Sequence, residues 1–351
     1  MKEFRELDSH VYIESGVFNK LATYVNNLNC NKGIFIVSDE NVLGLYEKKL
    51  RSILVNDDLH LYSTIPGESS KSIDVYNNLI KQMLEDGIKR SSLIIGFGGG
   101  VVLDLAGFVA STLFRGTELM YIPTTIIGQI DAGVGGKNGI DMFGYKNIVG
   151  NFYSPSVVLI DSEFLKTLPQ KEIINGYGEI IKTALISDNT LFEKICSGIV
   201  LDDSIIADLV SFKIDIAKKD FKDFGIRRIL NFGHTMGHAI EAKSSFNISH
   251  GEAVAYGMVY ALKLGIKEGI TKPNVLPKVL DALKQNGLYQ KHIDFSGYLD
   301  YFKYDKKNTS NGLDFVFLSD IGKPLIKRIV IKWLLKRVNY KGNLRLIHPN
   351  H

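Results

Sequence analysis

His234 and His238 stand four residues apart in the run HTMGH, a spacing that puts both imidazoles on one face of a helix. His250 follows twelve residues later in SHGE, where a further helical pattern begins. Upstream, GYGEIIK carries Glu179 and Lys182, three apart and again on one face. Two imidazoles and a carboxylate suit zinc or a similar divalent ion with one coordination position left open. Histidines kept only for helix packing would explain HxxxH about as well, and it is His250 and Glu179 that favour a metal. Spacing alone leaves open which three of the four side chains bind.

A second group of residues points to anions. GFGGGVVLD, from Gly96 to Asp104, is a glycine turn between a strand and a helix. Backbone amides at such a helix start can cradle a pyrophosphate. Val101 occupies the last glycine position of a GxGxxG pattern, so as a lone motif the turn is weak. The segment Ile122 to Gly150 follows, with Asp131, Lys137, Lys146 and Asn147 among glycines and Arg115 shortly before. Lysines and an arginine beside glycine-rich backbone are what a bound phosphate or carboxylate needs. Lys213, Arg227 and Asn231 precede His234, and DKKN, at 305–308, is a basic turn. Each of the last two segments by itself would read as a solvated charge run.

The elements that must position these groups change character along the chain. Residues 33–39, 92–100, 119–125 and 156–162 are short apolar strands, separated by helical patterns at 41–54 and 72–87. Strands buried on both faces and separated by helices predict a parallel α/β sheet of the Rossmann kind, with ligands at the carboxyl ends. After Pro169 the segments 171–186, 191–196, 204–219, 234–242 and 251–268 all have helical spacing, and a strand returns near 313–318. The expected division is a nucleotide-binding α/β domain at 1–168 and a mainly helical, metal- and substrate-binding domain at 169–351. The stretch from Ile326 to His351 reads as starting helical and ending in a basic tail.

Composition narrows the partners. The 351 residues are 45% apolar and carry a formal net charge of +4, which offers no electrostatic case for nucleic acid or a membrane surface. The longest apolar stretch, Leu93 to Ala110, contains Asp104 and five glycines and reads as strand, turn and helix rather than a membrane span. Cys30 and Cys196 have no metal-ligand spacing, and the N-terminal run has no apolar core. A reduced, cytoplasmic protein is expected.

Taken together, the segments GGGVVxDLAGFVA, PTT, QxDAGVGGK, KNxxGxFYxP, GxxExxK, GIRxxLNxGHTxGHAIE and HGEAVAxGM resemble the 3-dehydroquinate synthase family, in order and near its usual spacing. The resemblance implies a lyase that turns 3-deoxy-D-arabino-heptulosonate 7-phosphate into 3-dehydroquinate and phosphate. The steps are transient oxidation by NAD, phosphate elimination, re-reduction and an internal aldol closure. It implies zinc or cobalt on Glu179, His234 and His250, with His238 contacting substrate instead. Asp131, Lys137, Asn147, Lys182, Lys213, Arg227, Asn231 and Lys306 match substrate-holding positions. Arg115 matches a residue that reaches into a neighbouring subunit's site, which implies a homodimer. For NAD the matching positions are Asp39, Asn41, Glu68, Lys71, Gly99, Gly100, Val101, Asp104, Thr124 and Thr125. Phe164, Thr167, Leu168 and Glu172 complete that set, with Lys137 and Lys146 beside it. Two positions depart from the family pattern: Leu103 stands where glycine is usual, and Asn138 where threonine is common. Three rivals are a sister sugar phosphate cyclase, a metal- and NAD-dependent polyol dehydrogenase, and a non-catalytic binding protein of the same fold. A dehydrogenase has no need of so many anion-binding lysines, and a binding protein would be expected to have lost a metal ligand.

Overall fold

Runs such as Ile34–Asp39 and Leu93–Gly98 are apolar at nearly every position, and each is buried along its length, as expected of strands covered on both faces. A computed structural model describes residues 1–28, 33–55, 58–196, 201–244, 248–291, 293–298 and 313–329. In chain order the first strands are β1 (Lys2–Glu6), β2 (Ser9–Ile13), β3 (Ile34–Asp39), β4 (Leu59–Thr64), β5 (Leu93–Gly98) and β6 (Glu118–Pro123). A separate hairpin, β7 (Lys137–Met142) and β8 (Tyr145–Phe152), precedes β9 (Val157–Ile160). The main sheet has the order β1-β2-β9-β6-β5-β3-β4. All its pairings are parallel except the antiparallel β1–β2 edge.

Helices α1 (Leu21–Asn27), α2 (Glu40–Ile53), α3 (Ile73–Glu85) and α4 (Gly100–Thr112) connect these strands. Asp39 and Ser72 start α2 and α3, each accepting a hydrogen bond from a backbone amide of the first turn. The chain moves outward from β3 to β4 and then returns to place β5 on the other side of β3. That reversal makes the carboxyl ends of β3 and β5 the switch point of the sheet, the place where open α/β sheets take ligands. Beneath it, Phe18, Phe97 and Phe164 pack with ring centroids 5.2–5.6 Å apart inside one core cluster.

The second half is helical: α5 (Gln170–Ser187), α6 (Asn189–Cys196), α7 (Asp203–Lys219), α8 (His234–Lys243), α9 (His250–Lys267) and α10 (Val275–Gln285). A hairpin of β10 (Leu313–Asp320) and β11 (Lys323–Ile329) follows. Contacts group the chain into two compact units, Met1–Gly176 with Val200–Arg227 and Tyr177–Ile199 with Arg228–His351. In the first unit α7 packs on β1, β2 and a wide turn at Gly128–Ala132. No helix among the described residues is long and apolar enough to cross a membrane.

One local expectation changes, and one segment gains structure that its sequence did not indicate. Within the glycine-rich segment 122–150, after the wide turn, the chain enters the β7–β8 hairpin, whose glycines let the two backbones approach. Ile326–Ile329 lie in β11, not in a helix, because pairing with β10 satisfies their backbone groups. Lys306 and the residues from 330 onward lie outside the described residues.

Candidate metal centre and anion-binding groups

The second unit brings Glu179, His234 and His250 together. One ligand atom from each lies within 4.8 Å of the others, and among the described residues this is the group that could hold a metal ion. Glycines make the convergence possible. A Cβ on Gly178 would meet the carbonyl oxygen of Gly251 at 2.3 Å, so α5 and α9 touch through bare backbone. Their next-door residues, Glu179 and His250, are therefore held face to face. A Cβ on Gly257 would meet the Gly233 carbonyl oxygen at 1.8 Å, which locks the start of α8, and with it His234, against α9.

The donor spacing fits a metal. Glu179 Oε1 lies 3.5 Å from His234 Nε2 and 3.3 Å from His250 Nε2. Ligand atoms around a tetrahedral zinc at about 2.0–2.1 Å stand roughly 3.3–3.4 Å apart. Glu179 Oε1 is buried without a well-formed hydrogen bond among the described residues, an orphaned acceptor facing two imidazole nitrogens. Its other oxygen takes a hydrogen bond from Lys182 Nζ at 2.5 Å, with both side chains almost fully buried.

Electrostatics in this cluster are opposed. Burial alone would raise the Glu179 carboxyl, but Lys182 and the two histidines outweigh it and hold it well below the usual range. Burial depresses His234, and the attraction of Glu179 only partly offsets it. Burial also works against a charged His250, yet the facing carboxylates of Glu179 and Glu241 prevail and raise it. His238, exposed on α8, has its ring centroid 5.4 Å from that of His234 and 6.4 Å from that of His250, beside the donor triad. Asn231 is exposed just before α8.

In the first unit the cationic groups meet carboxylates and carbonyls. Lys137, half-exposed at the start of β7, pairs with Asp223. Buried Lys213, on α7, bonds both the carboxylate of Asp131, at 2.5 Å, and its backbone oxygen. Arg227 is 2% exposed and donates to the carbonyls of Phe221 and Gly135, each at 2.8 Å. Its Nε has no acceptor among the described residues. Gly135, at φ 97°, is gripped from the other side by Glu6, whose carboxylate accepts its amide at 3.0 Å. Asn147 sits apart in the β8 hairpin strand, exposed, donating its amide to Asp141. Arg115 is exposed, with Phe114 and Arg115 both at positive φ.

Asn138, next to Lys137, is buried and accepts a 2.6 Å hydrogen bond from Tyr121 while donating to the carbonyls of Gly136 and Tyr153. Gly107 of α4 leaves the room this pair occupies, since a Cβ there would fall 2.0 Å from both side chains. Tyr121→Phe strands a buried acceptor and should cost about 1–3 kcal/mol of unfolding free energy. Urea melts at unchanged slope read this directly. An unmoved midpoint would mean that Asn138 has found another donor.

Around the carboxyl ends of the sheet, Asp39 caps α2 and Asn41 is exposed beside it. Gly99 precedes α4 and no side chain caps that helix, so the first-turn amides at Gly100 and Val101 face no side-chain acceptor of their own. Leu103 is fully buried in α4 and its amide bonds to Gly99, so the extra side chain is accommodated in the core. Lys71 pairs with Asp104, and Lys146 lies 3.6 Å from Glu68. Thr124 bonds the Gly98 carbonyl through its amide, and Thr125 caps the turn that follows. Phe164 is in the core, Thr167 shares a hydrogen bond with Tyr46, and Glu172 accepts from Asn175. Leu168 is half-buried between them.

Three residues that the motifs give no site role stand beside these groups: Glu241, Asp223 and Glu6. Only Glu241 had a readable signal, falling three and seven residues after His238 and His234 on one helix face.

Family models described as 3-dehydroquinate synthase N-terminal and C-terminal match residues 62–175 and 176–308. The chain belongs to the 3-dehydroquinate synthase family. It is 38% identical to a 3-dehydroquinate synthase of Clostridium botulinum (strain Alaska E43 / Type E3), over 94% of this chain and 98% of the relative. It is 37% identical to that of Thermoanaerobacter pseudethanolicus, over 95% and 98%. Among solved structures, a 2-epi-5-epi-valiolone synthase from Streptomyces hygroscopicus subsp. jinggangensis 5008, with NAD+ and Zn2+ bound, is 25% identical at a TM-score of 0.81, covering 96% of this chain and 98% of its own. A 2-deoxy-scyllo-inosose synthase complexed with carbaglucose-6-phosphate, NAD+ and Co2+ shares the fold at a TM-score of 0.86 and 24% identity, covering 97% and 99%. A probable glycerol dehydrogenase from Sinorhizobium meliloti 1021 shares it more distantly, at 0.62 and 16%, covering 93% and 95%.

Proposed function

We propose that this chain is a 3-dehydroquinate synthase, a phosphate-eliminating lyase acting on 3-deoxy-D-arabino-heptulosonate 7-phosphate. The observation that carries the reading is the convergence of Glu179, His234 and His250 at metal-ligand spacing in a chain of this family. Bound NAD supplies a reversible hydride acceptor, and the divalent ion, zinc or cobalt, a Lewis acid for a substrate hydroxyl.

The chain's own groups have separable tasks. Glu179, His234 and His250 hold the ion, and Lys182 keeps Glu179 ionised so that it can do so. His238 orients substrate or relays a proton beside them. Asn231 and Lys306 belong to the substrate-holding set. In the first unit, Lys213 and Arg227 offer cations to the substrate's anionic groups, with Arg227 Nε still lacking an acceptor among the described residues. Asp131, Lys137 and Asn147 complete that set. Lys213 is already largely desolvated beside Asp131, whereas half-exposed Lys137 would exchange Asp223 and water for a substrate anion. Asp39, Asn41, Glu68, Lys71, Gly99, Gly100, Val101, Asp104, Thr124, Thr125, Lys146, Phe164, Thr167, Leu168 and Glu172 are the nucleotide-binding positions. The sheet's switch point and the uncapped start of α4 support that placement. The working enzyme is a cytoplasmic homodimer in which Arg115 serves the neighbouring subunit; its exposure and positive φ support an outward role.

Purified protein with NAD and zinc should release phosphate from the heptulosonate phosphate, stop when a chelator is added, and accumulate no NADH. Release from sedoheptulose 7-phosphate alone would make it a sister cyclase. Steady NADH formation from simple polyols, with no phosphate release, would make it a dehydrogenase.

A further inference from the structure

The two ligand imidazoles are held by different devices. His234 directs Nδ1 to the backbone carbonyl of Phe232 at 3.2 Å. His250 directs Nδ1 to the Glu241 carboxylate at 3.3 Å. A carbonyl and a carboxylate are both acceptors, so in each ring Nδ1 is the nitrogen that donates, and each Nε2, on the side of Glu179, is the one that would offer a lone pair to a bound ion. The anchor of His234 is backbone and no substitution removes it. The anchor of His250 is a side chain on another helix.

We propose that Glu241 is a positioning residue for the metal, holding His250 in the tautomer and ring orientation that offer Nε2 to the ion. Geometry supports the assignment. Glu241 is 3% exposed, on the face of α8 that carries His234 and His238, and it reaches across to the first residue of α9. The His250 side chain is 31% exposed, and as the opening residue of α9 it has no preceding helical turn to fix its χ1. Outer carboxylates that accept from a ligand histidine strengthen it as a donor, and their loss costs about 10–100-fold in metal affinity. A carboxylate serving only to join α8 to α9 would change folding stability and leave affinity alone.

The inference rests on the metal reading above, and the test separates the two. Zinc affinity of the purified protein is measured by competition with a chelating indicator, alongside the visible spectrum of the cobalt form and the Tm of the metal-free form. Glu241→Ala should weaken zinc binding about 10–100-fold and alter the cobalt spectrum. Glu241→Gln keeps an acceptor oxygen in place, so it should recover most of the loss and stay roughly 3–10-fold weaker than the parent for want of charge. A folded Glu241→Ala protein that binds zinc within twofold of the parent overturns the proposal, even if its Tm falls. Should that variant not fold, Glu241→Gln decides, and affinity within twofold of the parent is again the overturning result. A parent that takes up no zinc would instead sink the metal reading itself.

Discussion

Replacing His250 with alanine should remove bound metal and activity together, lowering turnover by roughly a thousandfold, equivalent to about 4 kcal/mol of barrier. Two of the three convergent donors would remain, and a catalytic site of this kind needs three protein ligands to hold an ion while leaving a position open. The fold should survive, because His250 starts a helix and its side chain is 31% exposed, so little core is lost. Its metal-free Tm should stay close to that of the metal-free parent. Chelator treatment of the parent should reproduce the variant's behaviour, and added zinc or cobalt should rescue the parent alone. Full activity with stoichiometric metal in the alanine variant would show that the ligand set has been assigned wrongly.

Gly257→Ala is expected to be the most disruptive one-carbon change in the second unit. The new methyl would lie 1.8 Å from the Gly233 carbonyl oxygen and 2.9 Å from the Gly237 amide, and both obstacles are backbone. No rotamer change relieves such a contact, so α8 must shift away from α9. Overpacking of this kind costs about 3 kcal/mol at the upper end of its usual range. The shift would move His234 and Glu241 relative to His250, so zinc affinity should fall with stability. Gly44→Ala is the control. It lies on an exposed face of α2 with nothing within 4 Å of the added methyl, and there alanine should stabilise by about 0.5–1 kcal/mol. Denaturant midpoints that fail to move in opposite directions would mean the α8–α9 approach is looser than the structure shows.

Much of the secondary structure was legible because the patterns are local. The periods of α5, α8 and α9 are carried by residues within each segment, as are the apolar runs of β3, β5, β6 and β9. The β7–β8 hairpin was hidden because glycine, lysine and asparagine fill half of its strand positions and interrupt the apolar alternation that marks a strand. β11 was hidden because Ile326 to Ile329 has too few residues to tell a helical from an extended period. Asp223 gave no signal, since nothing local in the loop after α7 says that its carboxylate meets Lys137.

Residue types and spacings alone were enough to establish a parallel α/β half, a helical half, and a pool of four side chains from which a metal site could be drawn. They also carried the family's motifs in order, which named the chemistry. Tertiary structure alone decided which side chains meet. Glu179, His234 and His250 are far apart in sequence, and their donor atoms converge because Gly178 touches Gly251 and Gly257 touches Gly233. Those contacts depend on helix crossings, which periodicity cannot specify: it states which face is buried but not against what. For the same reason the partner of His250, Glu241, became visible only once α8 and α9 were side by side.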